Sequence, residues 1–175
     1  MDTITTRLSG RAWCFDRDLP SDGGVLPLRF AIQRIADGEE LRHHLFEGVR
    51  PGIAERLNPG DILVVNGHFG TGKLHVQPFL ALRAAGVGVV ARSLPHLAVR
   101  RLVAEGIPAA TLPGEQLSTI EDGDRLTVDF ASGDIENHTR GGRIAAVPFD
   151  RFLVDIVRHG GLEGSVRAEL RRRDR

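Results

Sequence analysis

The sequence holds a single cysteine, Cys14. That scarcity excludes an internal disulfide, and it excludes an iron–sulfur cluster held by this chain alone, because such clusters need several thiolates. A lone thiol on an apolar strand reads as packing rather than as a nucleophile. Net charge is missing as well: 23 Lys plus Arg balance 23 Asp plus Glu. Such a balance gives no field that would steer the protein to nucleic acid. The one charge run, Arg171, Arg172, Arg173 and Arg175, reads as a solvated or frayed tail within residues 166–175. No apolar run is long enough to span a bilayer, and the opening MDTITTRLSG lacks the charged-then-apolar pattern of a secretory signal. A cytoplasmic location is therefore expected, with no membrane partner, no nucleic-acid partner and no metal ligated by this chain.

What is present is ordinary for a globular protein. The chain has 175 residues, 41% hydrophobic and 26% charged, enough for one domain over 1–175 with a real core. Arg7 to Phe15 reads as a first strand. Asp16 to Pro27, with Pro20, Gly23, Gly24 and Pro27, has loop chemistry. A helix is expected from Pro51 through Ile53 and Leu57, stopped by Asn58-Pro59-Gly60. Asp61 to Val65 is a short apolar run of the kind that forms a buried strand. Helices follow over Pro78–Ala85 and Leu97–Glu105, each closed by a glycine, with strands at Val87–Ala91 and Ile107–Leu112. This alternation implies a parallel sheet. Leu126, Val128 and Phe130 then alternate with polar residues, as in a half-buried strand, and Ile144 to Val147 is expected to pair with it. Phe149, Phe152, Leu153 and Ile156 follow helical spacing up to Gly160-Gly161. The fold class is a mixed α/β domain with a partly parallel sheet and an antiparallel C-terminal addition.

Between the strand at 61–65 and the helix at 78–85 lies Asn66-Gly67-His68-Phe69-Gly70-Thr71-Gly72-Lys73, with His75 just beyond. A strand, a glycine-rich turn and a helix make a common anion site. Glycines admit an anion close to the backbone, and the first helical amides and the helix dipole favour negative charge. Lys73 adds a full charge, and His75 can donate a hydrogen bond or carry a proton. Gly67-x-x-x-x-Gly72-Lys73 also matches most of the nucleotide-binding P-loop. Leu74, however, stands where that motif needs a hydroxyl for Mg²⁺, and no Walker-B Asp is evident.

In this region the chain resembles the small subunit of 3-isopropylmalate dehydratase and the swivel domain of aconitases. That family has P-G-D before an apolar strand, then F-G-C-G-S-S-R-E-H, a helix and A-A-G-V. Here stand Pro59-Gly60-Asp61, then Phe69 to Gln77, and Ala84-Ala85-Gly86-Val87, without a gap. Gly10-Arg11, Ser21-Asp22 and Pro27-Leu28-Arg29-Phe30 are similar to the family's opening strand and its D-T-D-x-I-x-P-x-R-Y loop. Ala91-Arg92-Ser93, Gly106-Ile107-Pro108 and Gly160-Gly161-Leu162 follow in the family's order.

The resemblance implies a swivelling aconitase-type domain. Such a domain closes over a hydroxy di- or tricarboxylate bound to the [4Fe–4S] cluster of a separate large subunit, in a heterodimer or heterotetramer. It implies that the loop supplies the base and a carboxylate clamp. Lys73 stands at the family's first loop serine, Leu74 at the second and His75 at the arginine. Lys73 and His75 are therefore the expected catalytic residues, and Gly70, Thr71, Gly72, Arg29 and Ser93 the expected substrate contacts. Two alternatives stay open: a non-catalytic paralogue of the same fold that binds an acid ligand or a partner protein, and a P-loop-like nucleotide binder.

Overall fold

The computed structural model describes residues 5–73 and 75–173. The first four residues of the opening stretch read for a signal pattern, Leu74, and Arg175 of the basic run lie outside these residues. Strand β1 (Arg7–Phe15) has the expected bounds and is followed by the short β2 (Leu19–Pro20). Two short helices come next, α1 (Arg29–Ile32) and α2 (Gly38–Arg42). The core unit is β3 (Ile62–Thr71), α3 (Gln77–Ala85), β4 (Gly88–Ser93), α4 (His96–Ala104) and β5 (Ala109–Thr111). After α5 (Gly114–Leu117) come β6 (Arg125–Asp129), β7 (Asp134–Asn137), β8 (Arg143–Ala145) and β9 (Val147–Pro148), then α6 (Arg151–Arg158) and α7 (Leu162–Arg173).

The strands run in the order β8-β7-β6-β1-β3-β4-β5-β9. Strands β1, β3, β4 and β5 are parallel, and the additions at both ends are antiparallel. Only Ala146 separates β8 from β9, yet these strands lie at opposite ends of that order. The two ends of the sheet therefore meet, and the sheet rolls back on itself. The period-2 alternation of a strand then gives two apolar clusters. Leu63, Val65 and Phe69 of β3 join Phe79, Leu82 and Leu102 of α3 and α4. Ile62 and Val64 face the other way, with Val90, Ala110, Leu126, Val128 and Ile135. This double burial explains why residues 62–65 are apolar without a break; each such side chain contributes roughly 1.5–3 kcal/mol. Asp61 at the head of β3 is also buried. Its carboxylate accepts from the amides of Arg11 and Asn58 and from Trp13 Nε1, at 2.8, 3.0 and 2.9 Å, which ties β1 to β3.

Several expectations are corrected. The helix expected from Pro51 is a single 3₁₀ turn at Ala54–Arg56. The chain turns at Gly52 (φ 79°), and the amide of Asn58 bonds to Asp61 rather than continuing a helix. Ile144 pairs with Ile135 of β7, not with β6, and Val147 pairs with Thr111 of β5. The basic run, read as a solvated or frayed tail, is helical through Arg173 rather than frayed, and Arg171, Arg172 and Arg173 are exposed as a solvated run would be. No helix among the described residues is long and apolar enough to cross a membrane.

Candidate functional site

β3 continues past its apolar run to Thr71, so Gly67, His68 and Gly70 belong to a strand rather than a turn. The strand outruns its neighbours. Its distal half is held by β2, which pairs Leu19 with Phe69 and Pro20 with Thr71, and by Ser93, the last residue of β4, which pairs with His68. These ends lie at the carboxyl edge of the parallel strands, where open α/β sheets place their ligands.

The glycines answer to close packing. A Cβ on Gly67 would lie 2.5 Å from the carbonyl of Arg17, so the 16–18 segment can cross β3 only if residue 67 is glycine. Gly70 has φ 75°, and a Cβ there would lie 2.7 Å from Cβ of Ala98 in the first turn of α4. The helix start that abuts the glycine loop is therefore that of α4. The helix expected over Pro78–Ala85 is present as α3, which begins at Gln77, with three residues between it and Lys73. That spacing also departs from a P-loop, in which Gly-Lys opens the helix.

Beyond Thr71 the chain enters an exposed turn holding Gly72 and Lys73. Among the described residues Lys73 makes no ion pair. His75 is anchored: its Nδ1 lies 2.7 Å from Oδ2 of Asp22, on the loop after β2. The ring is 41% exposed and the carboxylate 17%. Ser21, beside Asp22, donates its amide to the carbonyl of Thr71 at 3.1 Å. Its hydroxyl is buried without a partner beneath Gly70.

The fold thus gathers Gly70, Thr71, Gly72, Lys73 and His75 on one stretch, with Ser93 one strand away. Ser93 does not cap the helix after it; α4 starts behind Pro95 with no side-chain cap. Arg29 is engaged elsewhere. Its guanidinium bonds Glu47 at 2.6 Å and lies over the ring of Phe30, and this bond holds the Glu47 carboxyl below its ordinary range. His44 joins Glu47 at 3.1 Å, and its ring packs at a tilt against Phe30. Asp22 was not singled out as a site residue. Its partner lies 53 positions away, and no local spacing signals the pair. His68, exposed between Asp18 and Ser93, was missed for the same reason.

The chain's own donors do not suit a metal cluster. Among the described residues no group of three or more His, Cys, Asp or Glu converges. Burial, with Asp122, Asp16 and Asp124 nearby, pushes the Cys14 thiol up to about 12, which keeps it protonated.

No family model matches the chain. Curated proteins do. The 3-isopropylmalate dehydratase small subunit of Methanosarcina acetivorans is 37% identical over 156 residues, covering 89% of this chain and 93% of that protein. The chain belongs to the family of 3-isopropylmalate dehydratase small subunits. Within that family, small subunit 1 of Methanopyrus kandleri is 32% identical over 93% of this chain and 94% of that protein. The methanogen homoaconitase small subunit of Methanothermobacter thermautotrophicus is 32% identical over 89% of this chain and 88% of that protein. The fold is also that of the crystal structure of 3-isopropylmalate dehydratase from Methanocaldococcus jannaschii. The TM-score is 0.86 at 22% identity, over 96% of this chain and 98% of that one. Both the family and the mixed α/β architecture expected from the sequence are thereby established.

Proposed function

We propose that this chain is the small subunit of an aconitase-type hydro-lyase, acting on a hydroxy di- or tricarboxylate together with a large subunit. The observation that carries the reading is the loop at residues 70–75. In a member of the dehydratase family it projects a lysine and an anchored histidine from the carboxyl edge of the sheet. The [4Fe–4S] cluster belongs to the large subunit, since the donors of this chain do not suit one. When bound there, it supplies the metal site for the substrate hydroxyl and carboxylate.

The residues of this chain do the rest. Backbone amides at Gly70 to Gly72 face the substrate, and Gly72 leaves open space for it: an added Cβ would meet nothing within 4 Å. Lys73 and His75 replace the family's serine and arginine and act at the substrate, with Ser93 at the rim. An ammonium is a compact point donor, so it grips a carboxylate without the bidentate geometry of arginine. Arg29 reaches the substrate only by exchanging its bond to Glu47.

The test is turnover of the complex reconstituted with its cognate large subunit, followed across a panel of 2- and 3-hydroxy acids by formation of the ene-carboxylate. Lys73→Ala is expected to lower kcat/KM by about 10²-fold or more, the range for a preorganised charge at the reacting group. Near-normal turnover of that variant removes Lys73 from the reaction. An assembled wild-type complex that turns over no hydroxy acid favours the binding paralogue, a reading that the missing serine and arginine also fit.

A further inference from the structure

We infer that Asp22 is the positioning residue of this site: it fixes His75 as the Nδ1–H tautomer and leaves Nε2 as the proton acceptor. The inference rests on reading the loop as a hydro-lyase site and names which loop residue moves the proton.

Asp22 Oδ2 lies 2.7 Å from His75 Nδ1. An ionised carboxylate only accepts, so the nitrogen facing it must carry the proton. A neutral ring then has its lone pair at Nε2. Among the described residues His75 makes no other hydrogen bond, and the ring remains 41% exposed. A proton acceptor is thus fixed in orientation and left open on the side away from Asp22.

The two partners are not equally free. Asp22 sits in a closed loop. The amide of Val25 bonds Pro20 at 2.9 Å, that of Leu26 bonds Ser21 at 3.2 Å, and that of Gly23 bonds Leu26 at 2.7 Å. Ser21 next to it is wholly buried and bonded to Thr71. His75 lies on the stretch between β3 and α3, which belongs to neither element. The braced carboxylate therefore sets the ring. The carboxylate is only 17% exposed and its loop is closed by backbone hydrogen bonds, so the fold sets the geometry.

This geometry allows a proton transfer to the ring. Nε2 takes the proton from the carbon α to a carboxylate, and the C–H electron pair becomes the new C=C bond. The C–O bond on the neighbouring carbon breaks, and the hydroxyl leaves with its electron pair as hydroxide, which the metal site of the large subunit would accept. The imidazolium that forms is stabilised by Asp22. Lys73, with its exposed ammonium, is then the carboxylate partner rather than the base.

The experiment has two arms. In the first, the full chain labelled with ¹⁵N-histidine is examined by long-range ¹H–¹⁵N correlation, with His75→Ala identifying the His75 signals. The wild type is expected to show Nδ1–H for His75, and Asp22→Ala to shift the ring toward Nε2–H. In the second, Asp22→Ala in the reconstituted complex is expected to lower kcat by about 10²-fold with little change in KM, and Asp22→Glu to recover part of it. Asp22→Ala combined with His75→Ala should be no worse than His75→Ala alone. An Nε2–H ring in the wild type, or a tautomer indifferent to Asp22, overturns the positioning role. A shifted tautomer with unchanged kcat overturns His75 as the acceptor. A wild-type complex inactive on every hydroxy acid overturns the hydro-lyase reading instead, and the spectra still decide the positioning role.

Discussion

Asp122 accepts both guanidinium nitrogens of Arg50, at 2.7 and 2.8 Å, and the amide of Cys14 at 2.9 Å. These bonds, Arg50 first, hold its carboxyl down to about 2, against an ordinary 3.8. A depressed carboxyl stabilises the fold above its ordinary pKa, and this contribution is lost as pH falls from about 4 toward about 2. Because the group is partly solvated, Asp122→Asn is expected to cost only about 1 kcal/mol at neutral pH. The stability gap between wild type and variant, measured by urea unfolding, should close below pH 4; a gap that stays constant down to pH 2 contradicts the assignment. The bridge joins residue 50 to residue 122, so the sequence did not reveal it. Lys73 and His75 stand out as candidates in the sequence because they sit inside a motif. Asp22 does not, because its meaning lies entirely in a partner across the fold.

At the scale of elements, boundaries set by hydrophobic period were readable and those set by tertiary pairing were not. Residues 61–65 announce a buried strand, but its continuation to Thr71 depends on β2 and Ser93. The polar Asp134–Asn137 segment carries no strand signal beyond Ile135, yet it pairs on both sides. Pro51 suggests a helix start that the turn at Gly52 defeats. The extended β3 yields a prediction. Gly70→Ala meets both a left-handed φ and Cβ of Ala98 at 2.7 Å, and is expected to cost about 1–3 kcal/mol. Gly72→Ala, with open space around it, bears only the backbone strain of about 1 kcal/mol. Thermal unfolding should therefore show Gly70→Ala well below Gly72→Ala, at roughly 2–4 °C per kcal/mol for a chain of this size. Equal midpoints would mean that α4 does not brace the loop.

At the scale of the molecule, the rolled sheet is a frame that carries one working edge. It buries two apolar clusters, sends the 70–75 loop beyond the carboxyl ends of its parallel strands, and fixes that loop to Ser21 and Asp22 from below. Such an edge offers part of a candidate site: an exposed lysine and an anchored histidine, without donors among the described residues suited to a cluster. The account therefore requires a second subunit to complete the chemistry. The direct measurement is titration of this chain into a fixed amount of cluster-loaded cognate large subunit, with hydroxy-acid dehydration as the readout. The account predicts no turnover from either protein alone and activity that rises and saturates at equal amounts of the two. Full activity of the large subunit without this chain, or none at any ratio despite a formed complex, would contradict it.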